Sequence, residues 1–254
     1  MDLPSTDIVA YAIPVFFALI GVEAWIGRRD TRRLYRLNDA ITNLSCGILN
    51  QVVAVFFAVL TVAAYCWTYE TLRLLELRPS WWVSVLCMVG VDLGYYWFHR
   101  SSHMHNFLWA SHVVHHQSEE YNYTVALRQG AFEPLASWVF YQPLALLGFP
   151  PLLFLTCNAL NTLYQFLPHT RTVGKLPGWF EWIFNSPSHH RVHHGCDPKY
   201  LDRNYAGMFI VWDRLFGTYQ EEEEEPSYGT VDALASWNPL WANVWQPLKV
   251  WRHT

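Results

Sequence analysis

Apolar residues run along this 254-residue chain in long blocks that carry almost no charge, separated by shorter polar segments. The first block extends from about Ile8 to Ile26, the second from about Ile41 to Trp67 and the third from about Trp81 to Phe98. Two further blocks, Phe132 to Phe149 and Pro150 to Leu167, meet at Gly148-Phe149-Pro150-Pro151. Blocks of about 18 or more apolar residues suit membrane-crossing helices. Tight Gly/Pro punctuation between two of them reads as a helical hairpin, fully spanning or re-entrant. The pattern predicts an all-α integral membrane protein with four to five transmembrane or re-entrant helices, at about 8–26, 41–67, 81–98, 132–149 and 150–167. The polar remainder, about 99–129 and 168–254, forms a helical cap, and no repeat or second boundary divides the single domain 1–254.

Composition agrees with a lipid environment. Hydrophobic residues make up 52% of the chain and charged ones 15%, against roughly 25% charged in soluble proteins. The 14 Trp and 14 Tyr suit interfacial aromatic belts. A net charge of −4 gives no footprint for nucleic acid. The five cysteines form no CxxC pair and no disulfide spacing, which points to a reduced or lipid-buried setting.

Charge also orients the chain. The leading MDLPSTD is acidic and lacks the basic start of a secretory signal. Arg28, Arg29, Arg32, Arg33 and Arg36 follow the first block, so the first loop is cytoplasmic by the positive-inside rule. Counting spans from there brings Phe98, Leu167 and everything after them to the same cytoplasmic face, which in a bacterium is that of the inner membrane. Glu221 to Glu225, five successive acids, read as a solvated turn.

Ten of the twelve histidines lie just beyond the ends of apolar blocks. His99 and His103 are four apart, His112, His115 and His116 make an HxxHH pattern, and His190, His193 and His194 repeat it with His189 in front. His169 stands in QFLPHT after the hairpin. Residues three and four apart share a helix face, so each cluster aims several imidazoles in one direction. Adjacent histidines diverge by about 100°, which suits two neighbouring metals. No carboxylate stands within the clusters. Imidazole alone accepts Fe, Zn, Cu or Ni. A zinc hydrolase needs only three protein ligands and a carboxylate base, whereas an all-histidine pair beside a membrane suits oxygen chemistry on a lipid chain, so iron is preferred.

The spacing HxxxH, HxxHH, HxxHH, together with YYWFHR, HHQSEEYNYTVALRQ, LYQFLPHT, SPSHHRVHHG and NYAGMFIVWDRLFGTY, resembles the membrane fatty acid hydroxylase and sterol desaturase superfamily across about Asp92 to Tyr219. The resemblance implies a di-iron centre that activates O2 and takes hydrogen from an unactivated C–H bond, with hydroxylation or desaturation as the result. It implies one iron on His99, His112, His115, His169 and His190 and the other on His103, His116, His193 and His194. His189 is extra to the pattern and is expected either behind the ligands or as a further ligand.

Asp92 precedes His99 by seven residues, nearly on the same helix face, and is expected either to orient an imidazole or to pair with a buried arginine or hydroxyl. Asn204, Tyr205 and Asp213, like Glu119, Glu120 and Arg128, are candidates to hydrogen-bond a ligand's far nitrogen or to shape a headgroup pocket, with ordinary packing as the alternative. Cys196 would break the all-nitrogen pattern, and His105 and His253 read as surface residues. Trp97, Trp109 and Trp138 read as core or interface anchors. The chain holds no flavin, haem or nicotinamide motif, so electrons are expected from a partner: a ferredoxin, a cytochrome or a tetrahydropterin. The expected function is an O2-dependent lipid hydroxylase acting on an alkyl, acyl or isoprenoid chain. A desaturase with the same centre is the nearest alternative, and a zinc hydrolase or a metal transport or storage protein is more remote.

Overall fold

A computed structural model describes the backbone of residues 4–29 and 33–253 and the side chains of 11–29 and 33–251. Arg32 of the basic loop, the first residues of the acidic leader and the side chain of His253 lie outside what is described. The described residues are helical, with no strand and two isolated bridges, Phe184 to Phe209 and Gly195 to Tyr228.

Three long helices come first: α1 (Pro4–Gly27), α2 (Leu37–Leu72) and α3 (Trp81–Met104). At 36 residues, α2 is about 54 Å long at 1.5 Å per residue, well beyond the roughly 30 Å hydrocarbon layer. Only 11% of its most apolar 18-residue stretch is buried. A soluble core helix would be buried there, so α2 is the described helix that is both long and apolar enough to cross a membrane. Ser80 starts α3 by accepting a hydrogen bond from the Val83 amide. The helix then runs without a break past Phe98, which carries His99 and His103 out of the apolar block on the same rod.

The expected hairpin differs from its sequence reading. Residues 132–149 do not form one helix. They fold as α6 (Glu133–Ser137), a 3-10 turn (Trp138–Tyr141) and α7 (Gln142–Leu147), preceded by α4 (Asn106–His116) and α5 (Tyr123–Ala126). Pro134 and Pro143 each sit in a first turn, where a missing N–H costs nothing. Gly148 ends α7 with φ at 94°, and a Cβ there would stand 2.0 Å from the Leu75 carbonyl oxygen. The returning helix, α8 (Pro151–Phe166), has 16 residues, about 24 Å. Both limbs are shorter than a full span.

Tyr65, Val83, Val91, Leu144 and Phe154 build a core where α2, α3, α7 and α8 meet, with the Tyr65 and Phe154 rings stacked 4.2 Å apart. Beyond it lie α9 (Gly178–Ile183), α10 (Pro187–His193), α11 (Val211–Leu215) and α12 (Pro239–His253). Gly47 of α2 lets the Leu127 carbonyl approach so closely that a Cβ would sit 2.4 Å from its oxygen. That contact brings the loop carrying Arg128 against α2, under the histidines of α4.

Candidate metal centre

Nine histidines from α3, α4, α10 with its capping residue His194, and the segment after α8 converge at one end of the long helices, where all but part of His103 is buried. Their available nitrogens fall into two groups: His99, His103, His112, His116 and His193 in one, His115, His169, His190 and His194 in the other. The nitrogens within a group lie within 4.8 Å of one another. The groups abut, with the rings of His116 and His194 stacked at 4.5 Å. This partition differs from the one the family resemblance implies. His115, His169 and His190 sit with His194, while His99 and His112 sit with His103, His116 and His193.

The imidazoles are oriented from behind. His99 Nδ1 is 2.8 Å from the Tyr205 carbonyl, His115 Nδ1 2.9 Å from that of Arg128, His169 Nδ1 2.7 Å from that of Gln165 and His193 Nδ1 2.9 Å from that of Arg203. A carbonyl oxygen only accepts, so each Nδ1 carries the proton and each Nε2 keeps its lone pair. His112 Nδ1 lies 3.0 Å from Glu133 Oε1. A proton there again leaves Nε2 bare.

The bare nitrogens then face each other. Nε2 of His99 is 3.0 Å from Nε2 of His112, and His115 and His169 are related in the same way at 3.2 Å. Two lone pairs at that distance repel unless a cation lies between them. Two nitrogens bound at right angles to one metal at 2.0–2.1 Å would stand about 3.0 Å apart. Nε2 of His103, His193 and His194 is buried with no hydrogen-bond partner. The residues present therefore fit a pair of metal ions. Burial first, then the neighbouring imidazoles, hold His99, His103, His116, His190 and His194 well below the ordinary value of 6.5. Burial lowers His115 to about 4 and His193 to about 3. All are neutral at pH 7, the form that binds metal.

The flanking residues act at different distances. Asp213 accepts from the amides of Tyr205 and Ala206, 2.8 Å each, and from the Thr218 hydroxyl, which fixes the carbonyl that holds His99. Asn204, left-handed at φ 54°, donates to the carbonyls of His189 and Gln220 and steadies the same turn next to Arg203. Asp92 touches no imidazole. Its two oxygens accept from Asn161, the amides of Met208 and Phe209, and the Trp212 indole, which ties α3 to α8 and the α11 turn. His189 belongs to neither group; its Nδ1 accepts from the Ser186 amide and closes the start of α10. Glu119 and Glu120 pair with Arg36, away from the histidines.

Three contributors were not legible beforehand. Glu133 lay inside what read as an apolar block; an acid just before Pro134 was its only signal. Glu23 of α1 is buried and accepts from Tyr35, from the Tyr123 amide and from Thr170 beside His169. Glu222 is not part of a solvated turn. It makes a two-pronged ion pair with Arg191 on α10, at 2.6 and 2.7 Å. Arg191 also donates to the carbonyl of Thr170.

A cleft of about 320 Å³ opens beside the centre, lined by His103, His116, His193, Trp109, Trp245 and Asp202 among others. It gives a small-molecule path to the five-histidine group.

Residues 84–218 match the fatty acid hydroxylase family. The chain is 41% identical to alkylglycerol monooxygenase of Xenopus tropicalis over 98% of its own length and 55% of that protein. It is 40% identical to alkylglycerol monooxygenase of Homo sapiens over 96% and 55%. It is 32% identical to an ornithine lipid hydroxylase of Rhizobium tropici over 53% and 41%. The chain thus spans about half the length of the animal relatives it matches. No solved structure matches it at a significant level.

Proposed function

Because the chain belongs to the fatty acid hydroxylase family, we propose that it is an integral-membrane di-iron oxygenase that uses O2 to hydroxylate an unactivated C–H bond in the chain of a lipid. The observation that carries this is the pairing of bare Nε2 atoms, His99 with His112 and His115 with His169. Nine imidazole nitrogens and no carboxylate oxygen in either group suit a borderline metal such as iron. His99, His103, His112, His116 and His193 would hold one ion, and His115, His169, His190 and His194 the other.

Two irons in this setting would supply O2 reduction and the oxidising power to remove hydrogen from carbon. The balance is one O2, two electrons and two protons per C–H bond converted to C–OH, with one water released. The electrons come from an external donor: a ferredoxin, a cytochrome or a reduced tetrahydropterin. The protein's own part is orientation. Four backbone carbonyls and Glu133 fix which nitrogen of five imidazoles faces inward. Burial keeps bulk water away, and the cleft at His103, His116 and His193 admits one carbon of the substrate. The names of the relatives support a lipid with a polar head and a long chain. The arginines after α1 favour a centre at the cytoplasmic face of the membrane.

Metal analysis of protein purified without oxygen tests the reading, with two irons per chain as the expected result. Lipid profiling of a host with and without the gene, under oxygen-18, is expected to show a labelled hydroxylated lipid. One zinc per chain with turnover independent of O2 overturns the proposal. An unsaturated, unlabelled product replaces hydroxylation with desaturation.

A further inference from the structure

Helix α12 is divided lengthwise. Ala242 and Asn243 are buried, and Asn243 accepts from the Ala131 amide at 2.7 Å. Trp245 and Gln246 line the cleft that reaches His103 and His116. Leu240, Trp241, Val244, Leu248 and Trp251 are all exposed. At 100° per residue these five occupy a single arc of roughly 100° on the side away from Ala242. Such a stripe, with Lys249 on the opposite side over the Trp245 ring, has the make-up of a helix lying in a membrane interface.

Its depth in the molecule points to the same partner. Thr42 of α2 donates to the Trp237 carbonyl just before α12, and Cys46 packs on Ala242. Thus α12 rests on the first three turns of the membrane-crossing helix, where the chain leaves the arginine-bearing loop and enters the apolar block. That is the level of the boundary between headgroups and acyl chains. Phe107, next in sequence to the cleft-lining Asn106 at the start of α4, is 83% exposed.

We propose that α12 lies in the plane of the bilayer interface with its exposed stripe among the lipid headgroups and upper acyl chains. Its opposite flank forms the wall past which a lipid enters the cleft. The entry half of this inference rests on the oxygenase reading; the placement of the helix does not.

The test uses the full chain in vesicles of phosphatidylethanolamine and phosphatidylglycerol, with a fluorescent amino acid incorporated at Val244 or, for comparison, at Glu223. A lipid bearing a nitroxide near its headgroup is expected to quench position 244 several-fold more than 223, and aqueous iodide to do the reverse. Iodide reaching 244 as well as 223 overturns the proposal. So does protection of 244 from both quenchers, which would mean that protein covers the stripe, from a second copy or from further chain. For entry, L240Q/L248Q is expected to lower turnover on bilayer lipid relative to detergent-dispersed lipid about tenfold, with metal content unchanged. An unchanged ratio overturns the entry half. Absence of turnover in every form sinks the oxygenase reading and leaves the quenching result standing.

Discussion

Glu133 Oε1 and His112 Nδ1 lie 3.0 Å apart, across 21 residues of sequence, and join the first turn of α6 to the last turns of α4. The carboxylate fixes the His112 tautomer and makes Nε2 a better donor toward the position shared with His99. Outer partners of this kind are typically worth about 10–100-fold in metal affinity. Glu133→Ala is therefore expected to lose metal to a chelator at tenfold or more lower concentration than wild type, and Glu133→Gln to fall between. Wild-type retention by Glu133→Ala would sink the assignment of Glu133 as the group that orients His112.

Arg128 is expected to be the most costly single residue behind the four-histidine group. It is buried, its Nε donates to the Val114 carbonyl at 2.6 Å, and its two remaining nitrogens donate to Asn43 and Gln117. Its own carbonyl holds His115. Arg128→Met strands two buried side-chain acceptors, Asn43 Oδ1 and Gln117 Oε1, at about 1–3 kcal/mol each, a large share of a typical total of roughly 5–15 kcal/mol; the Val114 carbonyl keeps the Gln117 amide. The variant should accumulate poorly and melt well below wild type in detergent. Arg128→Lys, which keeps the charge but not the planar fork, should be intermediate. Equal melting of Arg128→Met and wild type would show that these bonds contribute little.

Acid should act through His189 separately from the metal. Burial lowers its pKa from 6.5 to about 4, and its neutral Nδ1 accepts from the Ser186 amide. With the folded value below the unfolded one, the unfolded chain takes up the proton first. The stability this residue contributes is full above about pH 6.5 and is lost as pH falls toward 4. One proton corresponds to about 1.4 kcal/mol per pH unit, so the loss across that window is on the order of 3 kcal/mol. In His189→Asn the amide oxygen can still accept from Ser186 but does not titrate. The difference between the two denaturation curves isolates the residue from the other histidines. Wild type should lose stability more steeply than the variant between pH 6.5 and 4; parallel curves would remove His189 from the acid response.

The histidine spacings were legible because 3.6 residues per turn puts i, i+3 and i+4 on one face whatever the tertiary fold. That reasoning reaches along one helix at a time. How His194 meets His115 and His169, and not His103, depends on how α10 crosses α4, which no local spacing encodes. The long apolar blocks of α1, α2 and α3 were legible for the same reason that their helices are long. The block at 132–149 was not, because hydropathy is blind to the prolines and 3-10 turn that break it into three pieces. Helical register alone places Asp92 near the face of His99. Its four donors come from α8 and the α11 turn, so its partners were set by packing far along the chain.

The five acids from Glu221 to Glu225 look equivalent in sequence, and their energetic weights are expected to differ sharply. Glu222 and Arg191 are 12% and 7% exposed, and the pair anchors α10 between His190 and His193. Glu223, 63% exposed, reaches Lys199 at 3.5 Å. Removing one partner of a buried ion pair leaves an uncompensated charge and costs about 3–5 kcal/mol, whereas an exposed pair contributes about 0–1 kcal/mol. Glu222→Gln should therefore lower the melting temperature and speed metal loss from the four-histidine group, because Arg191 also holds the Thr170 carbonyl beside His169. Glu223→Gln should change neither beyond about 0.5 kcal/mol. Thermal unfolding and chelator-driven metal release, measured side by side on the two variants, decide it. Matching behaviour would mean that the whole run is solvated and that Arg191 is held by its backbone contacts alone.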